Sequence, residues 1–270
     1  MGSLIRFDRY RVYWDFDSFM DEPGRRSGTA LAALLADLDV EVEVPALGEW
    51  AVLMGAPAEA GPTALLERLA HPDVRIRRIL AFVLAYMHMP DDAIPRLRAR
   101  SACEPDASTR FALLMALGRY PVSRDHLRGR LGDGSSDALG AALGLLLHQP
   151  EAVDETVLDA LTLCGGEAGA VLDELAWGDP EWISPPPGGY VEAVDDWLSP
   201  TPELRSRWLA RMLVRLRTGE MDVGTVHVLV DAAGRLASQF PEHVSVLRDY
   251  AAGDGDMAER VRVALRRVAP

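Results

Sequence analysis

The chain has 270 residues, a formal net charge of −13 and 49% apolar residues, a composition typical of a folded globular domain. All 28 basic residues are arginine, so enzymes that need a Schiff-base lysine, a phosphate-loop lysine or a lysine base are excluded. No apolar run reaches the roughly 20 residues of a membrane-spanning helix, and the early charges argue against a secretory signal. The two cysteines, Cys103 and Cys164, favour a reducing cytoplasm over a disulfide framework.

Residues 1–60 are predicted to form an atypical N-terminal cap and the first helices, near 28–38 and 46–55. Residues 40–44 alternate valine with glutamate, which is the period of a half-buried strand. Six aromatic residues fall within the first 20 positions. They form either an anchor for a partner or a cover for the open core of the first repeat, and we favour the cover because every solenoid needs one. The six are Phe7, Tyr10, Tyr13, Trp14, Phe16 and Phe19.

A repeat with a period of 33 residues begins near residue 61. Each copy has a helix that starts with proline, a Pro-Asp turn, and a second helix with an arginine in its first turn. The aspartate lies where an N-cap is needed, and the proline before it ends the first helix. In the first copy, apolar residues recur at helical spacing from Ile76 to Met87, which predicts a buried face. The repeat-structural residues are Pro62, Asp73 and Arg77 in the first copy and Pro95, Asp106 and Arg110 in the second.

This pattern resembles the HEAT repeat, which has a proline in its first helix, an aspartate at the turn and an arginine early in its second helix. The resemblance implies a right-handed α-solenoid of antiparallel helix pairs. It is good over residues 61–120 and weaker over 121–177 and 221–268, where residues 256–260 form a third copy. The period is short against the roughly 40–47 residues of HEAT and armadillo repeats.

The remaining sequence predicts further helix pairs joined by short connections that carry Gly, Pro or Asp. The expected fold is therefore all-α, and the whole chain is one continuous domain. Its parts are the cap and first helices (1–60), the HEAT-like repeats (61–177), a Pro/Gly-rich loop with a short helix (178–200), and C-terminal helical repeats (201–270). The helices predicted after residue 60 are 62–70, 74–88, 92–102, 107–119, 123–131, 136–148, 151–163, 167–177, 190–198, 202–218, 222–239, 242–252 and 256–268.

A loop rich in proline and glycine interrupts the repeats between residues 177 and 190, where its composition forbids a helix. Trp177, Trp182 and Tyr190 lie in or beside it. Inserted loops of solenoids often line the binding face, so Trp182 and Tyr190 are candidates for clamping a ligand. The alternative is a connector whose aromatic residues fill a gap in the packing, and the sequence leaves both open.

Charge is segregated along the chain. Residues 131–200 carry 14 acidic residues and no arginine, whereas the segments on either side are rich in arginine. Arg207, Arg211 and Arg215 form a row along one face of a predicted helix, which suits carboxylates or phosphates. We favour a solvated or internally paired row over a binding site, because exposed helix faces commonly carry charge. The natural counterpart of this row is acidic and consists of Glu151, Asp154, Glu155 and Asp159.

Motifs that carry chemistry are mostly missing. The six histidines lack the spacing of a metal site, and neither a cofactor motif nor a catalytic motif is found. Asp195 and Asp196 are adjacent, but neighbouring residues on a helix point apart, so we predict both at the surface. The arginine-rich stretch 75–130 resembles the basic wall of HEAT-like alkylpurine DNA glycosylases, although none of their functional residues aligns here. For such an enzyme, the candidates around a cleft are Trp177, Asp179 and Trp182.

The leading hypothesis is a HEAT-like protein-interaction module of a bacterial cytoplasm. Its acidic block would bind a basic protein, in the manner of an immunity or adaptor protein, with the loop around Trp182 as an anchor. The alternative is an enzyme on a HEAT-like scaffold, with an alkylpurine DNA glycosylase as the nearest precedent. A net charge of −13 opposes binding to duplex nucleic acid, no membrane partner is expected, and a small molecule remains open.

Overall fold

The computed structural model describes residues 91–132, 134–169, 189–219, 221 and 223–268, together with part of 66–84. Every element of secondary structure among these residues is helical, which confirms the all-α class. The predictions for the N-terminal cap, the strand and the helices before residue 60 lie outside the described residues, as do two repeat-structural residues, Pro62 and Asp73.

Five α-helices follow one another in the first half of the described chain. Four of them match the predicted helices closely, but the segment predicted as one helix at 151–163 is divided. It begins with a 3₁₀ turn at Pro150–Ala152 and ends with another at Thr162–Gly165. Asp154 lies between the first turn and the helix, and its side chain accepts a hydrogen bond from the backbone N–H of Val157, so the helix starts anew there. The five are α1 (Ile94–Cys103), α2 (Ala107–Leu117), α3 (Arg124–Arg128), α4 (Ser136–His148) and α5 (Glu155–Leu161).

Five further helices form the C-terminal part, and their ends follow clear sequence signals. Pro202 opens the longest of them, at a position where its missing N–H costs no hydrogen bond. Gly219 ends the same helix in the left-handed conformation, with φ of 79°, which glycine adopts without strain. The helices are α6 (Gly189–Leu198), α7 (Pro202–Thr218), α8 (Val223–Leu236), α9 (Glu242–Ala251) and α10 (Asp256–Val268).

The described helices pack within consecutive pairs and also between pairs. Consecutive helices form pairs, α1 with α2, α3 with α4, α7 with α8 and α9 with α10. The second helices of the pairs also contact one another, since α2 packs on α4 and α8 packs on α10, with α6 between α4 and α8. On the other side, α7 packs on both α5 and α9.

Among the described helices, the most extensive contact joins α2 and α4, and it depends on glycine. A Cβ at Gly140 would lie 2.8 Å from the carbonyl oxygen of Phe111, and one at Gly144 would lie 2.9 Å from that of Leu114. Glycine thus brings the two backbones together. Neither α2 nor α4 has an exposed residue. Besides their contact with each other, α6 packs on α4, and the Tyr190 ring of α6 meets Phe111 of α2. Both helices are therefore core helices.

We expect Gly144→Ala to lower the free energy of unfolding by about 1–3 kcal/mol, because the added methyl group must push two helix backbones apart. This cost exceeds the gain of about 1 kcal/mol that alanine brings as the better helix former. Urea unfolding followed by circular dichroism measures the change. Gly132→Ala is the matched control, since a Cβ there meets nothing within 4 Å. Equal stability of the two variants would contradict the close contact.

The repeat arginines make equivalent hydrogen bonds in the two copies. Arg77 Nη1 donates to the carbonyl oxygens of the residues six and five positions before it, and Arg110 Nη1 does the same. Arg77 Nε also donates to Glu104 Oε1 at 3.2 Å, and Arg110 Nε donates to Asp137 Oδ1 at 3.0 Å. The acid lies 27 residues after the arginine in both cases. Each arginine therefore fastens the turn of its own pair to the next pair.

The turn aspartate of the second copy has the role that the sequence predicts. Asp106 Oδ2 accepts the backbone N–H of Thr109 at 2.9 Å and so caps α2. Burial opposes ionisation of this carboxyl, but hydrogen bonds from Arg78 and Thr109 outweigh burial and lower its pKa. Pro95 lies in the first turn of α1.

The weaker third copy differs from the other two in its arginine. Arg260 is exposed on α10. Its neighbour Arg262 donates instead, to the carbonyl oxygens of Ala251 at 2.6 Å and Gly253 at 3.2 Å. Arg262, two positions after Arg260, thus makes a contact with the preceding turn like those of Arg77 and Arg110.

Candidate functional site

A buried cluster of charge joins α6, α7 and α8. Asp195 of α6 has a side-chain exposure of 0%. Arg205 of α7 donates to both of its oxygens, from Nε to Oδ1 at 2.6 Å and from Nη2 to Oδ2 at 2.5 Å. Arg235 of α8 donates a further hydrogen bond from Nη2 to Oδ2. One carboxylate therefore fastens three helices.

The surface position that we predicted for Asp195 is wrong. The apolar residues of α6 that face the core include Val191, Val194 and Leu198. Asp195 lies four residues after the first of these and next to the second, so the helix turns it inwards. Asp196 points the other way and is exposed. The adjacent acids thus have opposite environments, and only one of them faces solvent.

A hydroxyl–imidazole pair links α7 to α9 close to this cluster. Ser206 Oγ and His243 Nε2 are 2.7 Å apart, and both residues are buried. Burial lowers the pKa of His243, and the nearby Glu242 opposes this only in part. A nucleophilic serine needs access to its substrate and a histidine oriented for catalysis. Here both groups are enclosed, and the nearby Asp195 is already bound to arginine, so we assign the pair to packing.

Stability should fall as the pH is lowered from about 6.5 towards 4. Burial, and then the charge of Arg119, lower the pKa of His148 from 6.5 to about 4, and burial also lowers the pKa values of His126 and His243. Between these pH values the three histidines bind protons in the unfolded chain but stay neutral in the folded protein. Lowering the pH therefore favours unfolding. Urea unfolding at pH 7.5 and pH 5 measures the loss. His148→Gln should reduce the slope, and an unchanged slope would contradict the assignment to His148.

The predicted arginine row lies on α7 and is paired within the chain. Arg207 and Arg211 both form salt bridges with Glu155 of α5, and Arg211 Nε lies 2.6 Å from Asp159 Oδ1. Arg215 Nη1 donates to the carbonyl oxygen of Thr162 at 2.9 Å. The structure therefore places these candidate binding residues in the contact between α5 and α7.

The arginine-rich stretch is also largely paired inside the fold. Arg98 donates to Ser123, and Arg124 Nε donates to Gln149 Oε1 at 2.7 Å. Arg128 Nη1 donates to Asp154 Oδ2 at 2.7 Å, and this hydrogen bond is the main reason for the lowered pKa of Asp154. With Arg77, Arg78 and Arg110 paired as well, the described residues offer no continuous basic wall of the kind that a DNA glycosylase needs.

Of the aromatic residues proposed to clamp a ligand, only Tyr190 lies among the described residues. Trp177, Asp179 and Trp182 lie outside the described residues. Tyr190 is buried in the core, where its ring meets that of Phe111 edge to face with centroids 5.2 Å apart. Its aromatic ring therefore contributes to the contact between α6 and α2, as the packing alternative predicts.

What remains exposed near the buried cluster lies on α6 and α8. Asp196 of α6 is exposed, and so are His227, Asp231 and Arg235, which follow one another at intervals of four residues along α8. The hydrogen bond from Arg235 to Asp195 connects the two helices at this point. Within the described residues, no salt bridge is found for Asp196 or Asp231. We call these four residues the α6–α8 face.

Comparisons with protein-family models, curated proteins and solved structures find no match to this chain. Among the described residues, no helix is long and apolar enough to cross a membrane. The same part of the chain holds no group of three His, Cys, Asp or Glu residues placed to bind a metal ion.

Proposed function

We propose that this protein is a protein-interaction module of the HEAT-like α-solenoid kind. The equivalent bonding of Arg77 and Arg110 supports it, because the same donor reaches the same class of acceptors at the same spacing in two successive helix pairs. The order of helix contacts supports it too. Modules of this kind hold another macromolecule on a surface built by neighbouring helix pairs.

The binding surface in this proposal is the α6–α8 face. The observation that carries it is the contrast among the acids of the central block. Asp137, Glu155 and Asp159 are bound to arginines, and so is the buried Asp195. Asp196 of α6 and Asp231 of α8 keep their carboxylates on the surface, and neither forms a salt bridge with another described residue. Because α2 and α4 have no exposed residue, a partner in this part of the fold would contact the exposed sides of α6 and α8 instead.

The partner in this proposal is a basic protein, met in the cytoplasm and held in the manner of an immunity or adaptor protein. A net charge of −13 attracts positively charged partners over a distance set by the ionic strength. The pairing of the described arginines with acids leaves that excess negative charge intact. We therefore expect fast association at low salt and slower association at high salt.

The test compares two charge-reversal variants with the same change in net charge. Asp196→Arg/Asp231→Arg alters the α6–α8 face, whereas Asp249→Arg/Asp254→Arg alters exposed positions on α9 and the turn after it. Each tagged protein is used for affinity capture from the source lysate at low and high salt, after circular dichroism has shown that it is folded. Captured protein and nucleic acid are quantified separately.

We expect one protein in stoichiometric amount with the unmodified chain and with the control, and its loss in the face variant and at high salt. Capture of that protein by the face variant would contradict the proposed surface. Nuclease-sensitive nucleic acid without protein would contradict the basic partner and favour the glycosylase alternative. An empty eluate from all three proteins would overturn the proposal of a protein partner.

A further inference from the structure

The buried cluster on α6, α7 and α8 contains one carboxylate and two guanidinium groups. Arg205 already occupies both oxygens of Asp195 and balances its charge. Arg235 adds a third hydrogen bond through Nη2 alone. These three side chains together therefore carry one net positive charge, and Asp231, one helical turn before Arg235, forms no salt bridge with it among the described contacts.

The surplus charge lies at the surface. The side chain of Arg205 is 7% exposed, whereas that of Arg235 is 52% exposed. A guanidinium group has five N–H donors, and the bond to Asp195 engages Nη2 only. The buried carboxylate also restricts the rotamers of Arg235, so less side-chain entropy is lost when it binds a second acceptor. Arg235 can therefore bind a second anion, from outside the protein, while it keeps its hydrogen bond to Asp195.

We propose that Arg235 is the anchor of an oxyanion subsite, which binds a carboxylate or phosphate group through its outward N–H donors. Such an anion would bring the cluster to two positive and two negative charges. The paired donors of a guanidinium match two oxygens of one anion, a geometry that lysine does not offer. Asp231 lies one helical turn before Arg235 and opposes the binding of anions by its charge. Arg235 is also one of the four residues of the α6–α8 face, but the subsite is argued from the contacts and exposure of Arg235 alone and does not rest on the basic partner proposed above.

Arginine Nε–Hε resonances of the ¹⁵N-labelled protein measure this directly. Inorganic phosphate and acetate are titrated in separate experiments at constant ionic strength, and the Arg235 signal is identified by its loss in Arg235→Lys. We expect the Arg235 resonance to shift to saturation, while that of Arg248, an exposed arginine on α9, shifts linearly and little. Asp231→Asn should tighten binding about threefold, from the removal of one charge roughly 6 Å away in water.

Each result of the titrations either supports or contradicts an anion subsite at Arg235. Saturation with phosphate alone assigns the subsite to a phosphoryl group, and saturation with acetate assigns it to a carboxylate. Linear shifts of Arg235 with both anions, equal to those of Arg248, would overturn the proposal. An affinity unchanged by Asp231→Asn would place the bound anion elsewhere than at Arg235 and would overturn it as well. The main titration uses the unaltered protein, so it does not depend on the folding of a variant.

Discussion

Asp195→Ala should lower the free energy of unfolding by about 3–5 kcal/mol, because it leaves the buried guanidinium of Arg205 without a counter-charge. Arg205 loses both of its hydrogen bonds to the carboxylate, and its side chain is only 7% exposed. Arg235 also loses a bond but turns to solvent, since half of its side chain is already exposed. Urea unfolding of the purified variant measures the change.

Asp196→Ala is the matched control, one residue along the same helix and exposed. It should change the stability by less than about 0.5 kcal/mol, as surface substitutions usually do. The double variant Asp195→Leu/Arg205→Met shows whether the loss in Asp195→Ala comes from the missing ion pair or from the buried charge of Arg205 left without a partner. Because well-packed apolar residues often replace a buried pair at little cost, the double variant should recover most of the loss. A double variant less stable than Asp195→Ala would refute this account.

Glu104→Ala is expected to have a second large effect, also about 3–5 kcal/mol of stability. The side chain of Glu104 is fully buried and accepts Nε and Nη2 of Arg77, each at 3.2 Å. It also binds Arg100 and the backbone N–H of Asp106. Removal of this carboxylate leaves two arginines and a backbone donor without their acceptor. Thermal unfolding followed by circular dichroism should show a clearly lower midpoint.

Glu151→Ala is the control. Glu151, like Glu104, lies 27 residues after its arginine, but unlike Glu104 it is exposed. Glu151 pairs with Arg124 over 27 residues, as Glu104 pairs with Arg77. The side chain of Glu151 is 64% exposed, however, so its removal should cost less than about 1 kcal/mol. Similar losses in the two variants would mean that spacing, and not burial, determines what these ion pairs contribute.

Helix boundaries could be predicted where the chain carries strong local signals. The predicted bounds 136–148, 202–218 and 256–268 agree with the ends of α4, α7 and α10. A serine N-cap and a C-terminal glycine act within one turn of the residues that they affect, so a single sequence contains enough to place them. The segment 151–163 is divided instead, because a 3₁₀ turn precedes Asp154 and the α-helix starts only after this N-cap.

The buried cluster could not be predicted, because its partners are distant in sequence. Asp195 meets Arg205 over 10 residues and Arg235 over 40. No local period connects them. The available signal was the position of Asp195 between Val191, Val194 and Leu198, which placed it on the apolar side of its helix. Charge segregation was more informative, since acids and arginines that meet between α5 and α7 form separate rows in the sequence.

The hydrogen bonds of Arg77 and Arg110 give a direction to the helix pairs that they join. The pair α1 and α2 carries both groups, since its Glu104 accepts the arginine of the preceding pair and its Arg110 donates to the acid of the next pair. Neighbouring pairs joined in this way fit together in one orientation only. A duplicated unit of 33 residues inserted between them would meet matching groups at both of its ends. Growth by internal duplication would therefore need no new interface, whereas inversion of a unit would bring like charges together.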